Sequence, residues 1–178
     1  MLGLLSFGPQ SGYDLKQLAD RSIRHFYWSP AKSQVYTELR RLKSLGLVEE
    51  SFVEQESRPD KRVYAITSGG RAALADWLND PSLEPTVYKS TTLMKMFFGA
   101  SAEPDALVGQ LESMVRECHE FTTMLEESAR QCEAAGDAGV FTLLTIRAGL
   151  AHARADIEWA EAARATLLGL GRQEQETR

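Results

Sequence analysis

The sequence predicts a mainly α-helical chain in two parts, each with its own pattern of apolar residues. In the first part, three helical segments are followed by a β-hairpin and a fourth helix. In the second part, apolar residues recur every 3.5 residues through two long segments, which predicts an antiparallel, coiled-coil-like helical pair. A stretch rich in proline and acidic residues lies between these patterns. We therefore expect units at 1–80 and 88–178, joined by a linker at 81–87.

Charge is distributed unevenly between the two parts of this 178-residue chain. Residues 1–78 contain 11 basic and 9 acidic residues, a net charge of +2. Residues 79–178 contain 9 basic and 16 acidic residues, a net charge of −7, and the two sums give the total of −5. Because electrostatic attraction depends on the charges inside the contact area, only the first part is suited to bind a polyanion.

The segment 29–48 has the features of a complete short helix. Ser29 is a good N-cap and Pro30 suits the first helical position, because it has a fixed φ and no N–H to leave unsatisfied. Gly46 can adopt the left-handed conformation that commonly follows a helix. Between these ends, apolar residues at steps of four, four and three predict one buried stripe: Ala31, Val35, Leu39 and Leu42.

The opposite face of this helix is covered by hydrogen-bond donors, with no acid among them. Such a face suits the acceptors of base edges in the major groove and the phosphates beside it. An ordinary solvated face is the alternative. The predicted base-reading residues are Ser33, Gln34, Tyr36, Thr37 and Arg40, and the predicted phosphate contacts on this helix are Lys32, Arg41 and Lys43.

The segments around this helix predict a winged helix-turn-helix. Ser11 and Asp14 form a capping-box pattern at the start of a helix from Gly12 to about His25, and the aromatic residues 26–28 follow as core. After Gly46 the apolar period changes to two, which predicts a hairpin with a turn at residues 57–60. Thr67 caps a further helix, in which we expect three apolar residues to face inward: Leu74, Trp77 and Leu78.

The hairpin, or wing, has three cations near its tip: Arg58, Lys61 and Arg62. In this arrangement the third helix enters the major groove and the wing lies beside it. We predict that these cations contact the DNA backbone, and that Arg58 suits the concentrated negative potential of a narrow minor groove. A solvated turn is the alternative interpretation.

Several segments of the first 80 residues together form a recognisable pattern. They are Leu4–Pro9 with Ser11–Leu15, Phe26–Pro30, Ser33–Tyr36, Leu39–Leu42, Gly46–Val48 and Arg58–Thr67. This pattern resembles the PadR family of bacterial transcriptional regulators. The resemblance implies a homodimeric winged-helix repressor that binds a palindromic operator in double-stranded DNA, in some members released by a small aromatic or lipophilic effector. The length of the second part resembles the larger subgroup, whose helical C-terminal domain mediates dimerisation.

The second part begins with a short apolar helix at 88–100 and continues with two long helices separated by a break at Gly136–Asp137. The predicted seam of the first long helix is Leu107, Leu111, Met114, Cys118, Phe121, Leu125, Ser128 and Cys132. That of the second is Leu143, Ile146, Leu150, Ala153, Ile157 and Ala160. Apolar residues beside the seam predict a surface for a second copy of the chain, and the alternative is that they only cover the short helix at 88–100. They are Val115, Val140, Leu144, Trp159 and Leu168.

Four soft or aromatic residues of this part form a candidate effector pocket, although plain core packing is the simpler interpretation. They are Met94, Phe97, Phe98 and Trp159.

The histidines and cysteines are too scattered for a catalytic or metal site, so we expect no enzyme and no cofactor. The chain has no basic signal region and no membrane-length apolar run, so we expect it in the cytoplasm. The alternative function is a protein-binding adaptor that acts through its acidic helical hairpin.

Overall fold

The computed structural model of the chain describes residues 1–22, 29–53, 61–82, 85 and 89–176, with side chains up to residue 170. It divides into two compact units, Met1–Pro85 and Thr86–Arg178. The predicted aromatic core at 26–28 and most of the predicted linker lie outside the described residues. Within the described residues, no helix combines the length and the apolar content needed to cross a bilayer.

The first unit has the predicted order of three helices, a hairpin and a fourth helix, with one additional strand. Its elements are α1 (Leu2–Leu5), β1 (Gln10–Ser11), α2 (Gly12–Arg21), α3 (Lys32–Ser44), β2 (Val48–Val53), β3 (Lys61–Ile66) and α4 (Ser68–Asn79). The three strands form an antiparallel sheet in the order β1-β3-β2. The sequence pattern predicted only two strands, because β1 has two residues and exists only through its pairing with β3.

The predicted capping box at the start of α2 is confirmed. The Asp14 N–H donates to Ser11 Oγ at 3.2 Å, and the Ser11 N–H donates to Asp14 Oδ2 at 3.2 Å. These bonds satisfy two donors that the first turn of a helix leaves free. The helix ends at Arg21, whereas we expected it to continue to about His25. The expectation is wrong for residue 22, and residues 23–25 lie outside the described residues.

The predicted start of α3 is wrong, because Ser29 is engaged in tertiary contacts. Its hydroxyl donates to Asp20 and accepts from the Lys16 ammonium, 3.1 Å away, and both partners belong to α2. Pro30 is buried, and α3 begins only at Lys32, with Ala31 as its N-cap. The Ala31 N–H donates to Gln34 Oε1 at 2.8 Å, which satisfies a free donor at this end.

The predicted end of α3 is confirmed. Gly46 has a φ of +68°, its N–H donates to the Lys43 carbonyl, and the Leu47 N–H donates to the Leu42 carbonyl. These two bonds form a Schellman motif, which requires the left-handed residue that glycine supplies without strain. The motif turns the chain directly from α3 into β2.

The core of the first unit lies between the helices and the sheet. The predicted stripe of α3 is buried there, except that Ala31 is exposed. The remaining large core residues come from α1, α2 and the strands. The buried apolar residues are Leu4, Leu5, Leu15, Ala19, Val35, Leu39, Leu42, Val48, Tyr64 and Ile66.

Helix α4 is joined to the end of α3 by one side chain. Thr67 Oγ1 donates to the Gly46 carbonyl at 2.8 Å and accepts from the Gly70 N–H at 3.0 Å, which confirms Thr67 as the cap. Leu74 packs against the core as predicted. Trp77 and Leu78 are 72% and 66% exposed, so their predicted inward orientation is wrong. They lie in the last turn of α4, beyond the part that covers the sheet.

The second unit is mainly helical over its described residues. It contains α5 (Thr91–Phe97), a 3-10 turn (Gly99–Ser101), α6 (Pro104–Ala134), a second 3-10 turn (Gly136–Gly139) and α7 (Val140–Glu176). The predicted break is confirmed: Gly136 has a φ of +60° there. The Arg164 Nε lies 2.8 Å from Glu112 Oε1 and Arg147 lies 3.6 Å from Glu133. This pairing shows that α6 and α7 are antiparallel.

The predicted seam is the covered side of this helical pair. Its best-buried members are Leu107, Leu111, Leu125, Ile146, Ala153 and Ala160. The other predicted seam residues are half-buried. Gly149 gives close contact between the two helices, because a Cβ added there would lie 3.0 Å from Leu125 Cδ1.

Candidate nucleic-acid interface

The outward face of α3 presents exposed donors at its centre. Ser33, Thr37 and Arg40 are exposed, and successive members of this set are three or four residues apart on one side of the helix. The Arg40 guanidinium donates to Thr37 Oγ1 at 3.3 Å, which orients it along the helix surface. Arg40 forms no ion pair within the described residues and therefore keeps its charge available for a ligand.

Two other predicted base-reading residues have structural partners. Gln34 is exposed, but its Oε1 is the acceptor at the start of α3. Tyr36 is half-buried, and its ring lies so close to α2 that a Cβ added to Gly12 would be 2.6 Å from Tyr36 Cε1. The Tyr36 ring therefore holds α2 against α3, while Gln34 retains its amide NH₂ as a donor.

Four of the cations predicted to contact phosphates are paired with acids. Arg41 forms two 2.8 Å hydrogen bonds with Glu38, and Lys61 Nζ lies 2.8 Å from Asp14 Oδ2. These bonds hold the pKa of both carboxyls below their ordinary values, through Arg41 for Glu38 and Lys61 for Asp14. Lys61 thereby links β3 to the capping residue of α2. The remaining two cations, Lys43 and Arg62, share one acid.

That acid is Glu50, on β2. Its Oε2 pairs with Lys43 of α3, and its Oε1 lies 3.5 Å from Arg62 Nη1 and accepts from Tyr64 Oη at 2.9 Å. The Glu50 side chain is only 8% exposed, whereas those of Lys43 and Arg62 are 51% and 63% exposed. The hydrogen bond from Lys43 is the main cause that lowers the pKa of Glu50. Burial, together with Glu50, raises the pKa of Tyr64.

The sequence reasoning missed the role of Glu50. A signal was available: with a period of two, Glu50 lies on the same side of β2 as the buried Val48. Its cross-strand partner is Tyr64, whose hydroxyl needs an acceptor when buried. Arg62 lies opposite Phe52 and places its guanidinium 5.4 Å from the centre of that ring.

Lys32 and Arg58 are the two remaining residues that were predicted to contact phosphates. Lys32 is exposed in the first turn of α3 and forms no ion pair within the described residues. Arg58 lies outside the described residues. Among the residues that the structure describes, no three His, Cys, Asp or Glu side chains are placed to hold a metal ion.

The candidate effector residues of the second unit are only partly brought together. Met94 and Phe98 line a cavity of about 410 Å³ between α5 and the start of α6. Phe97 is 84% exposed and contacts Phe98 edge to face, and neither Phe97 nor Trp159 lines this cavity. The cavity wall is mostly apolar and is formed by Met94, Lys95, Phe98, Ser101, Ala102, Leu107 and Gln110.

Two family models match almost consecutive parts of the chain. Residues 1–76 match the transcriptional regulator PadR-like family, and residues 88–167 match the C-terminal region of the virulence activator alpha group. The chain belongs to the PadR family, in its subgroup with the larger C-terminal part. Members of the PadR family are transcriptional regulators, which confirms the prediction that the chain is not an enzyme.

Two curated proteins resemble this PadR-family chain over part of their length. The probable transcriptional regulator Rv1176c of Mycobacterium tuberculosis is 46% identical over 76 residues, which are 43% of this chain and 39% of that protein. The negative transcriptional regulator PadR of Bacillus subtilis is 33% identical over 98 residues, 55% of this chain and 53% of that protein. The chain thus matches between two fifths and about half of the length of these relatives.

Solved structures of PadR-family proteins share the fold over nearly the whole chain. B. subtilis PadR in complex with operator DNA superposes with a TM-score of 0.81 at 24% identity, covering 93% of this chain and 95% of that one. The same protein has been solved with p-coumaric acid, with a TM-score of 0.70 at 24% identity and the same coverage. The Vibrio cholerae virulence activator AphA gives 0.69 at 28% identity, covering 95% and 96%.

Proposed function

We propose that this chain is a sequence-specific, DNA-binding transcriptional regulator. The observation that carries the proposal is the outward face of α3, where Ser33, Thr37 and Arg40 are exposed and no acid lies among them. Beside it stands the hairpin of β2 and β3, in the arrangement of a helix-turn-helix with a wing. We assign DNA binding to 1–80, dimerisation to 88–178 and a linking role to 81–87. Acting on chromosomal DNA, the protein would work in the cytoplasm.

Within this surface we assign different roles to different residues. Ser33, Thr37 and Arg40 contact base edges, with Gln34 and Tyr36 at the edge of the contact. Lys32, Arg41 and Lys43 contact phosphates from α3, and Arg58, Lys61 and Arg62 contact the backbone from the wing. When an acid-paired cation binds DNA, a phosphate replaces the carboxylate as its partner, and the released carboxylate must be solvated by water instead.

We propose that the active form is a homodimer on a palindromic operator. Large apolar side chains are exposed on the second unit, including Phe141 at 82% and Leu144 at 56%, and a second copy would cover them. A two-fold dimer reads two half-sites of opposite orientation, which makes its operator a palindrome.

Repression is the expected direction of control, because the curated B. subtilis relative is a negative regulator.

The decisive experiment is selection of bound duplexes from a random pool by the full chain at about 0.15 M salt. We expect a palindromic consensus, and binding that weakens steeply with salt because phosphate contacts release counterions. Gel shifts of the selected duplex and a scrambled duplex at two salt concentrations quantify both properties. If no consensus emerges and no salt-sensitive binding is found, the adaptor function becomes the better account.

We further propose that the cavity between α5 and α6 holds a small aromatic or lipophilic effector. It is largely open to solvent, and its volume of about 410 Å³ is enough for a small molecule. Lys95 adds a positive charge to a mostly apolar wall, which favours an aromatic carboxylate. Titration with p-coumaric acid, the ligand solved with B. subtilis PadR, tests this. We expect a rise in melting temperature that is lost in Phe98→Ala and kept in the control Phe7→Ala, which removes an exposed ring from the first unit.

A further inference from the structure

We propose that Glu50 is a specificity-determining residue, because its carboxylate holds Lys43 and Arg62 away from non-operator DNA. The inference rests on the proposed DNA-binding function. Both cations lie on elements that would face DNA, one in the last turn of α3 and the other on the wing. Phosphate contacts bind any sequence equally, so cations that are withheld from phosphates reduce non-specific binding in particular.

The geometry shows why Glu50 can do this when a surface acid could not. Its side chain is 8% exposed, and both of its oxygens are occupied by partners on other elements. Tyr64, which is itself 4% exposed, fixes one oxygen with its hydroxyl. The carboxylate is therefore already oriented and desolvated, and a phosphate that approaches either cation must compete with it.

The group of three charges remains net positive, since one carboxylate faces two cations. It therefore still attracts DNA at long range, but a full contact of either cation with a phosphate competes with its pairing to Glu50. We infer that this exchange takes place when α3 is seated in the correct major groove and its base contacts are made. On non-operator DNA those base contacts are missing, and Lys43 and Arg62 remain paired with Glu50.

The test compares Glu50→Gln with Glu49→Gln in the full chain. Both substitutions remove one negative charge from β2, but Glu49 is exposed and forms no ion pair within the described residues. Glutamine at position 50 still accepts from Tyr64, so the packing is preserved. The measurement is the affinity for a scrambled duplex between about 0.05 and 0.3 M salt, with thermal unfolding as the folding control.

We expect Glu50→Gln to steepen the slope of log affinity against log salt by about 0.9 for each cation released, hence by up to about 1.8. At about 0.1 M salt the affinity for the scrambled duplex rises roughly tenfold, and the ratio of operator to scrambled binding falls. Glu49→Gln leaves the slope unchanged. Equal slopes in the two variants overturn the inference.

A second measurement does not depend on the stability of Glu50→Gln. In the wild-type background, Lys43→Ala leaves the slope on scrambled DNA nearly unchanged, because Lys43 is held by Glu50. Lys32→Ala, which removes an unpaired cation of the same helix, flattens that slope by about 0.9. Equal flattening by both overturns the inference and leaves the proposed function intact. If the wild-type chain shows no salt-dependent DNA binding at all, the proposed function itself fails.

Discussion

Arg40 is the residue of α3 with the strongest expected effect on sequence recognition. It is exposed, positively charged and oriented by Thr37, and arginine is the side chain best suited to the two acceptors of guanine. We expect Arg40→Ala to weaken binding to the selected operator by about 1–3 kcal/mol and binding to a scrambled duplex much less. The control is Arg71→Ala, which removes the same charge from α4. An equal loss on both duplexes would remove Arg40 from the base-reading set.

Lys61 is expected to behave differently, because the role we propose for its side chain is a contact with the DNA backbone. On binding the operator it exchanges Asp14 for a phosphate, so Lys61→Ala should weaken operator binding and flatten its salt slope by about 0.9. Gel shifts over a salt series measure the slope. An unchanged slope would mean that Lys61 serves only to join β3 to α2.

The paired carboxylates also predict how stability depends on pH. Lys43 lowers the folded-state pKa of Glu50, and Lys61 lowers that of Asp14. A lowered pKa stabilises the fold above the unfolded-state value, about 4 for these groups, and this stabilisation is lost as the pH falls through the folded-state value. Urea unfolding should therefore show a stability that is level near pH 7 and declines below about pH 4.5. Glu50→Gln should decline less steeply than the wild-type chain.

At the scale of elements, the contact between α4 and the start of β2 depends on a glycine. A Cβ added to Gly70 would lie 2.1 Å from the Leu47 carbonyl oxygen, a backbone atom that cannot move aside cheaply. A Cβ on the adjacent Gly69 would meet its nearest neighbour at 3.7 Å, an ordinary contact. We expect Gly70→Ala to lower the free energy of unfolding by about 1–3 kcal/mol. Gly69→Ala should be neutral or stabilising, by up to about 1 kcal/mol. Equal effects in urea unfolding would contradict this account.

Sequence patterns predicted the elements well where the signal is local. The period of 3.5 located α6 and α7, the capping residues located the starts of α2 and α4, and Gly46 marked the end of α3. Contacts between distant segments were not predictable in this way. Ser29 has the composition of an N-cap, but Asp20 and Lys16 engage its hydroxyl. The pairing of Lys43 and Arg62 with Glu50 likewise joins three elements, so no single segment contains it.

For the whole molecule, the exposed apolar residues at the start of α7 predict the oligomeric state. We expect the full chain to sediment at twice its mass of 19.8 kDa. Leu144→Glu should shift it towards the monomer, because it places a charge in the apolar contact. Thr145→Glu places the same charge on the neighbouring exposed polar position and should leave the dimer intact. Sedimentation velocity at several concentrations distinguishes these outcomes, and a monomeric wild-type chain would exclude the dimer.

The division of charge between the two parts of the chain has a further consequence for the kinetics of encounter with DNA. The first part, at +2, is drawn towards a polyanion, and the second, at −7, is pushed away from it. These forces act over about one Debye length, some 10 Å at 0.1 M salt. If the proposed DNA binding is correct, encounters made through the first part should last longer than those made through the second. Dilute salt should increase this difference.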